Sequence, residues 1–106
     1  FRNAEMGVAI FEREYRGKGF GTDAIVTLLR FGFDDIGLHR VELVVEEGNV
    51  RAVRCYEKCG FVGEGVLRDK IFRRGRFSNY LVMGILEEEF RRRWGSAPSP
   101  WEQAEA

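Results

Sequence analysis

Histidine and cysteine are scarce in these 106 residues, and the scarcity closes off several kinds of chemistry. His39 is the one histidine, and Cys55 and Cys59 are the two cysteines. A zinc site draws on more ligands than these residues offer, so no metal is expected. The cysteines stand four apart in a helical pattern and share a helix face, which suits two reduced, half-buried thiols of a cytoplasmic protein. Net charge is also lacking: 17 Lys and Arg balance 17 Asp and Glu. A neutral chain sets up no general basic field, so nucleic acid is not an expected partner. No apolar run approaches the roughly 20 residues that span a bilayer, so no membrane partner is expected either.

What is present supports a soluble fold. The length suits one domain rather than two. Hydrophobic residues make up 44% of the chain, enough for a core, and charged residues make up 32%. "AEMGVAIF" alternates, with Met6, Val8 and Ile10 on one face and Glu5, Gly7, Ala9 and Phe11 on the other, and predicts a strand over residues 4–11. Apolar residues at Ile25, Leu28, Leu29, Gly32 and Ile36 have helical spacing, so residues 20–36 read as a helix that stops at Gly37. "RVELVVE" predicts a strand over residues 40–46. "VRAVRCYEKC" reads as a short helix over residues 50–59, with Asn49 suited to its N-cap and Gly60 to its end. Two strands follow, residues 62–72 and 77–86, joined through "RRGR". "EEEFRRR" pairs Glu87 with Arg91, Glu88 with Arg92 and Glu89 with Arg93 and reads as a solvated helical turn. Residues 1–94 then form the domain and 95–106 a loose tail.

The order strand, helix, strand, helix, strand, strand gives an α/β fold with a mixed sheet. Its first two strands flank a crossover helix and are expected to be parallel; its last two form an antiparallel hairpin.

The stretch "YRGKGFGTDA" places Gly17, Gly19 and Gly21 beside Arg16 and Lys18 where that first helix begins. A helix N-terminus presents unpaired N–H groups and the positive end of the helix dipole, and glycine lets an anion approach them. The chemistry suggests a phosphate site. The P-loop pattern G-x-x-x-x-G-K-[ST] is absent. Gly19, Gly21 and Ala24 satisfy G-x-G-x-x-[GA], but seven residues separate them from the preceding strand, where a dinucleotide fold places its glycines directly after it. Arg16, Gly19 and Gly21 satisfy a third pattern, [QR]-x-x-G-x-[GA]. A plain glycine turn with solvated charges is also open on the loop alone.

The second half adds Asn49, Ala52, Tyr56, Lys58, Gly60 and Phe61 in "NVRAVRCYEKCGF". With "RGKGFG", this pattern resembles the GNAT superfamily of acetyl-CoA-dependent N-acetyltransferases, in its branch of ribosomal-protein and spermidine acetyltransferases. The resemblance covers about residues 4–86. It implies that the first two strands splay apart around pantetheine, bonded by the backbone of Val8, Ala9, Ile10 and Phe11. It implies a pyrophosphate on the amides of Gly17, Lys18, Gly19, Phe20, Gly21 and Thr22, beside Arg16, with Thr22 also a possible helix cap. Asn49, with Ala52 one turn on, would reach the pantetheine arm. Tyr56 takes the position of the general acid. Glu5 precedes Arg16 by eleven residues, a spacing similar to that of the base in some relatives, with Glu42, Glu46 and His39 as weaker candidates. Asn79 stands where many relatives carry Asp.

The implied function is acetyl transfer from acetyl-CoA, the co-substrate, to an amine acceptor by direct attack and without metal. A non-catalytic acyl-CoA-binding relic is the alternative, and a dinucleotide oxidoreductase is more distant. Relatives carry further strands and helices before residue 4. The chain is therefore expected to be the C-terminal part of a GNAT domain, with its first strand meeting a second copy, as in a homodimer, or a separate N-terminal piece.

Overall fold

The computed structural model describes residues 3–5, as backbone, and residues 21–95. Its elements are β1 (Asn3–Glu5), α1 (Thr22–Arg30) running into a wider π-helical turn (Phe31–Ile36), β2 (Arg40–Glu46), α2 (Val50–Cys59), β3 (Val62–Arg73), β4 (Arg76–Leu86) and α3 (Glu87–Trp94). The strands lie in the order β1-β2-β4-β3. β1 runs parallel to β2, with Asn3 opposite Arg40 and Glu5 opposite Glu42, and the other neighbours are antiparallel. The fold is the mixed α/β sheet expected. The further course of the first strand through Met6 to Phe11, and the splay expected there, lie outside the described residues.

β2 organises the core. Its β-branched, alternating sequence puts Val41, Leu43 and Val45 on one face, each 1% exposed. Met83 and Ile85 of β4, opposite Leu43 and Val41, extend that face, and Ile25 and Leu29 of α1, Phe33 of the π turn, Tyr56 and Cys59 of α2 and Phe90 of α3 join them in one core. Burying a large aliphatic or aromatic side chain contributes about 1.5–3 kcal/mol relative to exposure, so this face dominates the favourable terms.

The first helix differs from the simple periodic reading. Its last turn widens, and the extra residue per turn rotates the face that looks at the sheet. Phe33 enters the core, while Leu28 and Ile36 end 37% and 58% exposed. Gly37, at φ 80°, closes the turn by donating its N–H to the Gly32 carbonyl.

"EEEFRRR" is not a solvated turn. It is α3, which starts directly after β4. Phe90 is fully buried, with its ring 5.1 Å from that of Phe33 and the Arg30 guanidinium 5.1 Å above it. Trp94 Nε1 donates to the Cys59 carbonyl at 2.7 Å, and Arg30 donates to the carbonyls of Trp94 and Gly95. α3 therefore ties the ends of α1 and α2 together. The expected pairs Glu87–Arg91 and Glu88–Arg92 form, at 3.0 and 3.7 Å. Glu89 instead turns back to accept the Leu86 N–H at 2.9 Å, the reciprocal bond of a helix start.

The opposite sheet face carries a brace. A bulge between Gly63 and Gly65 gives β3 an extra residue, Glu64. Its carboxylate crosses β4 above Gly84 and meets Arg40 of β2, with one N–O distance of 2.9 Å. Arg40 also holds Glu42 at 3.2 Å. The crossing needs Gly84, where a Cβ would lie 2.7 Å from the Glu64 oxygens. The Arg40 hydrogen bonds hold the Glu64 carboxyl below the usual range.

α2 ends in left-handed Gly60, φ 112°, where a Cβ would also meet Ile85 Cδ1 at 3.1 Å. Gly60→Ala is expected to cost at least about 1–2 kcal/mol from the left-handed backbone alone. Gly48→Ala, where nothing stands within 4 Å among the described residues, is expected to stay within about 0.5 kcal/mol. Urea unfolding of both variants measures the contrast.

Candidate functional site

The site is built on the carboxyl end of β2, on α2, which follows it, and on the start of α1 beside the end of α2. β2 ends at Glu46, and the chain turns through Glu47 and Gly48 into α2. The Asn49 N–H donates to the Glu46 carbonyl at 2.9 Å. Its side-chain Oδ1 accepts the Ala52 N–H at 3.3 Å and so caps the helix. The two residues singled out at this end, Asn49 and Ala52, are thus bonded to one another.

At the far end of α2, the Phe61 N–H returns to the Tyr56 carbonyl at 3.0 Å, and the Tyr56 and Phe61 rings meet edge to face at 5.7 Å. This closure, with its hydrophobic contact, is the local reason for the Y-x-x-x-G-F spacing. The Tyr56 ring is 4% exposed within the helix–sheet core.

α1 starts with Gly21 as its N-cap and Thr22 as its first helical residue. The expectation that Thr22 caps the helix is therefore corrected: it lies inside, and among the described residues no side chain caps this end. The first-turn amides of a helix have no partner within it, which is what an anion at a helix start uses. The Thr22 carbonyl lies 3.9 Å from the Cys59 thiol. α1's start is thus set beside the end of α2, with Tyr56 one turn back toward Asn49. The remaining predicted anion-loop residues, Arg16, Gly17, Lys18, Gly19 and Phe20, and the strand residues Val8, Ala9, Ile10 and Phe11, lie outside the described residues. Glu5 is placed by its backbone, opposite Glu42.

Both cysteines are free thiols. Burial, and after it the neighbouring Cys55, push the Cys59 thiol up to about 12. Among the described residues no three His, Cys, Asp or Glu come together as a metal site. No described helix is long and apolar enough to cross a membrane.

The hairpin of β3 and β4 borders the same end of the sheet. Its Asn79 carbonyl accepts the Glu47 N–H at 2.9 Å. The Asn79 carboxamide accepts the Asp69 N–H at 2.8 Å and donates to Glu47 at 3.4 Å. A carboxylate could not donate to Glu47, so Asn79 has a structural task that Asp could not perform. Glu46 is engaged by Arg73 and by the Ser78 hydroxyl, the latter at 3.2 Å. An open cleft of about 550 Å³ lies among Glu46, Arg73, Arg74, Arg76, Phe77 and Ser78. The sequence reading missed this grouping, because the β2–β4 pairing that brings residue 46 to residues 78 and 80 is long-range.

His39 and Glu42 do not join the site. His39 is exposed before the start of β2, where its carbonyl accepts from Glu87, and Glu42 is paired with Arg40. His39 lies at the end of β2 away from Asn49.

The fold resembles that of a solved structure. Spermidine N-acetyltransferase from Vibrio cholerae, in complex with CoA and spermine, matches it with a TM-score of 0.69 at 35% identity, over 84% of this chain and 52% of that one. The profile of the Acetyltransferase (GNAT) domain matches residues 1–62. The chain belongs to the GNAT acetyltransferase family. It is 39% identical over 91 residues to an uncharacterized prophage-derived N-acetyltransferase of Bacillus subtilis, covering 84% of this chain and 51% of that protein. It is 38% identical over 92 residues to spermidine N(1)-acetyltransferase of Vibrio cholerae, covering 87% and 53%. The chain thus spans about half the length of the curated relatives it matches.

The thiol placement yields a pH test. A thiol whose folded pKa is raised contributes stability that is fully present below its unfolded value, about 8.5. That stability is lost as pH rises toward about 12. Urea unfolding is expected to show a decline above pH 8.5 that Cys59→Ala abolishes. A thiol reagent at neutral pH is expected to label half-buried Cys55 in the native state and Cys59 only on unfolding.

Proposed function

We propose that the protein carrying this chain transfers the acetyl group of acetyl-CoA to a primary amine by direct attack. The observation that carries the reading is the likeness, at 35% identity, to a structure holding CoA and spermine, together with an uncapped α1 start where a pyrophosphate would sit. The amides of Gly21 and Thr22, with the preceding loop residues Arg16 to Phe20, hold that pyrophosphate. The pantetheine arm then passes along α2, a helix of 10 residues, within reach of Asn49, and its thiol end lies at Tyr56. The backbone from Val8 to Phe11 borders it on the other side.

In the reaction the neutral amine nitrogen attacks the thioester carbonyl. A nitrogen–carbon bond forms, the carbon–sulfur bond breaks, and the amine loses a proton. Glu5, directly or through water, takes that proton. Tyr56 protonates the departing thiolate: a phenol of ordinary pKa near 10 can serve a thiolate of about 8.5 when it is held in place, and the packed ring supplies the holding. No step calls for a metal. β1 ends the sheet among the described residues, and its free side is proposed to pair with a preceding strand or a second copy. The reading places the protein in the cytoplasm. A non-catalytic acyl-CoA-binding role is the second reading.

In the full-length protein, Tyr56→Phe is expected to lower kcat about 10²–10⁴-fold with acetyl-CoA affinity unchanged. A rate within twofold of wild type would leave Tyr56 a packing residue. Gly21→Val is expected to weaken acetyl-CoA binding by calorimetry beyond what Gly21→Ala does, since the larger side chain screens the first-turn amides while a Cβ alone meets nothing within 4 Å among the described residues. Acetyl-CoA binding without turnover of any amine supports the second reading.

A further inference from the structure

The β3–β4 hairpin is strongly charged in a chain that is neutral overall. Residues 65–80 carry Arg68, Lys70, Arg73, Arg74 and Arg76 against one carboxylate, Asp69. The hairpin extends past the carboxyl end of β2, because Glu46, the last residue of β2, pairs with Tyr80 and the strands run on to a turn at Arg74 and Gly75. Ligands of open α/β sheets collect at the carboxyl ends of parallel strands, and the hairpin projects at that end of the sheet.

The cleft on the hairpin has one carboxylate, Glu46, which is neutralised by Arg73 and accepts a hydrogen bond from the Ser78 hydroxyl. Arg74 and Arg76 form no ion pair among the described residues. Arg73 is 52% exposed beside them. The turn adds an independent observation. Arg74 and Gly75 both have positive φ, 58° and 75°, in a two-residue turn. Such a turn favours Asn at the first position, and arginine brings no local benefit there. What arginine does bring is a guanidinium at the mouth of the cleft.

Resting on the acetyl-transfer reading, we infer that the acceptor is an acidic amine: a peptide N-terminus followed by Asp and Glu, and not a polyamine. Its carboxylates pair with Arg74 and Arg76, while its neutral α-amine attacks the thioester carbonyl, gives its proton to Glu5 and leaves the departing thiolate to be protonated by Tyr56. A polyamine carries only positive charge, which this surface repels.

The test measures thiol release by the full-length protein with acetyl-CoA and three acceptors: a peptide beginning Ser-Asp-Glu-Asp, its Ser-Lys-Arg-Lys counterpart, and spermidine. The acidic peptide is expected to show the highest kcat/KM, with the margin shrinking as salt rises. Arg74→Asn, which suits the turn, combined with Arg76→Gln is expected to lower kcat/KM for the acidic peptide about three- to tenfold, as weak exposed pairs do, with acetyl-CoA affinity by calorimetry unchanged. Spermidine or the basic peptide turning over as well as the acidic one overturns this inference and leaves acetyl transfer standing. Salt-sensitive binding of single-stranded RNA, with the two peptides indistinguishable, assigns the arginines to nucleic acid and also overturns it. Acetyl-CoA bound with no amine acetylated overturns both.

Discussion

The alternation of β2 is the constraint on which the other elements depend. It is the strand that meets β1 in parallel on one side and β4 in antiparallel on the other. Its inward residues Val41, Leu43 and Val45 receive all three helices. A slip of one residue in its register would turn those valines and Leu43 outward and bring Arg40, Glu42 and Glu46 inward. The same alternation keeps the Arg40–Glu64 brace and the Glu46–Arg73 pair on the face away from the helices. One strand thus sets the core, the charged face and the point at which the chain turns into α2.

The ends of α2 show how packing and function share residues. Asn49 caps the helix, and Tyr56, Gly60 and Phe61 close it. Each of these positions has a sufficient structural reason in local backbone chemistry. The proposed chemistry then uses groups whose positions are already fixed: a capped helix start beside the pantetheine path and a phenol held by its ring. A group rigidly placed by the fold needs little reorganisation at the moment of reaction. α3 extends the same logic, because Trp94 and Arg30 hold the end of α2 to the end of α1.

The hairpin has the opposite character. Most of β3 is exposed, and Phe72 and Phe77 meet across the strands 4.9 Å apart while facing solvent. Asn79 and the Glu46–Arg73 pair attach it to the end of β2. It is therefore an arm of the sheet rather than part of the core.

The sequence alone determined the order of the elements, the parallel pairing of the first two strands, the ends of α2 and the family. These rest on local rules: alternation for β2, Asn at a helix start, Gly at a left-handed end, and two motifs at a set separation. Residues Val8 to Phe20 were legible as a motif only. The tertiary structure decided what local rules do not encode. The widened turn after Arg30 replaced Ile36 with Phe33 in the core, because packing on β2 rewards the larger side chain enough to distort the helix. Phe90 turned a polar-looking segment into a core helix, since one buried ring outweighs several solvated charge pairs. The meeting of Glu46 with Arg73 and Ser78, and of Glu64 with Arg40 above Gly84, depends on strand order and on a bulge. Both are set by contacts between residues far apart in the chain, and no local pattern records them.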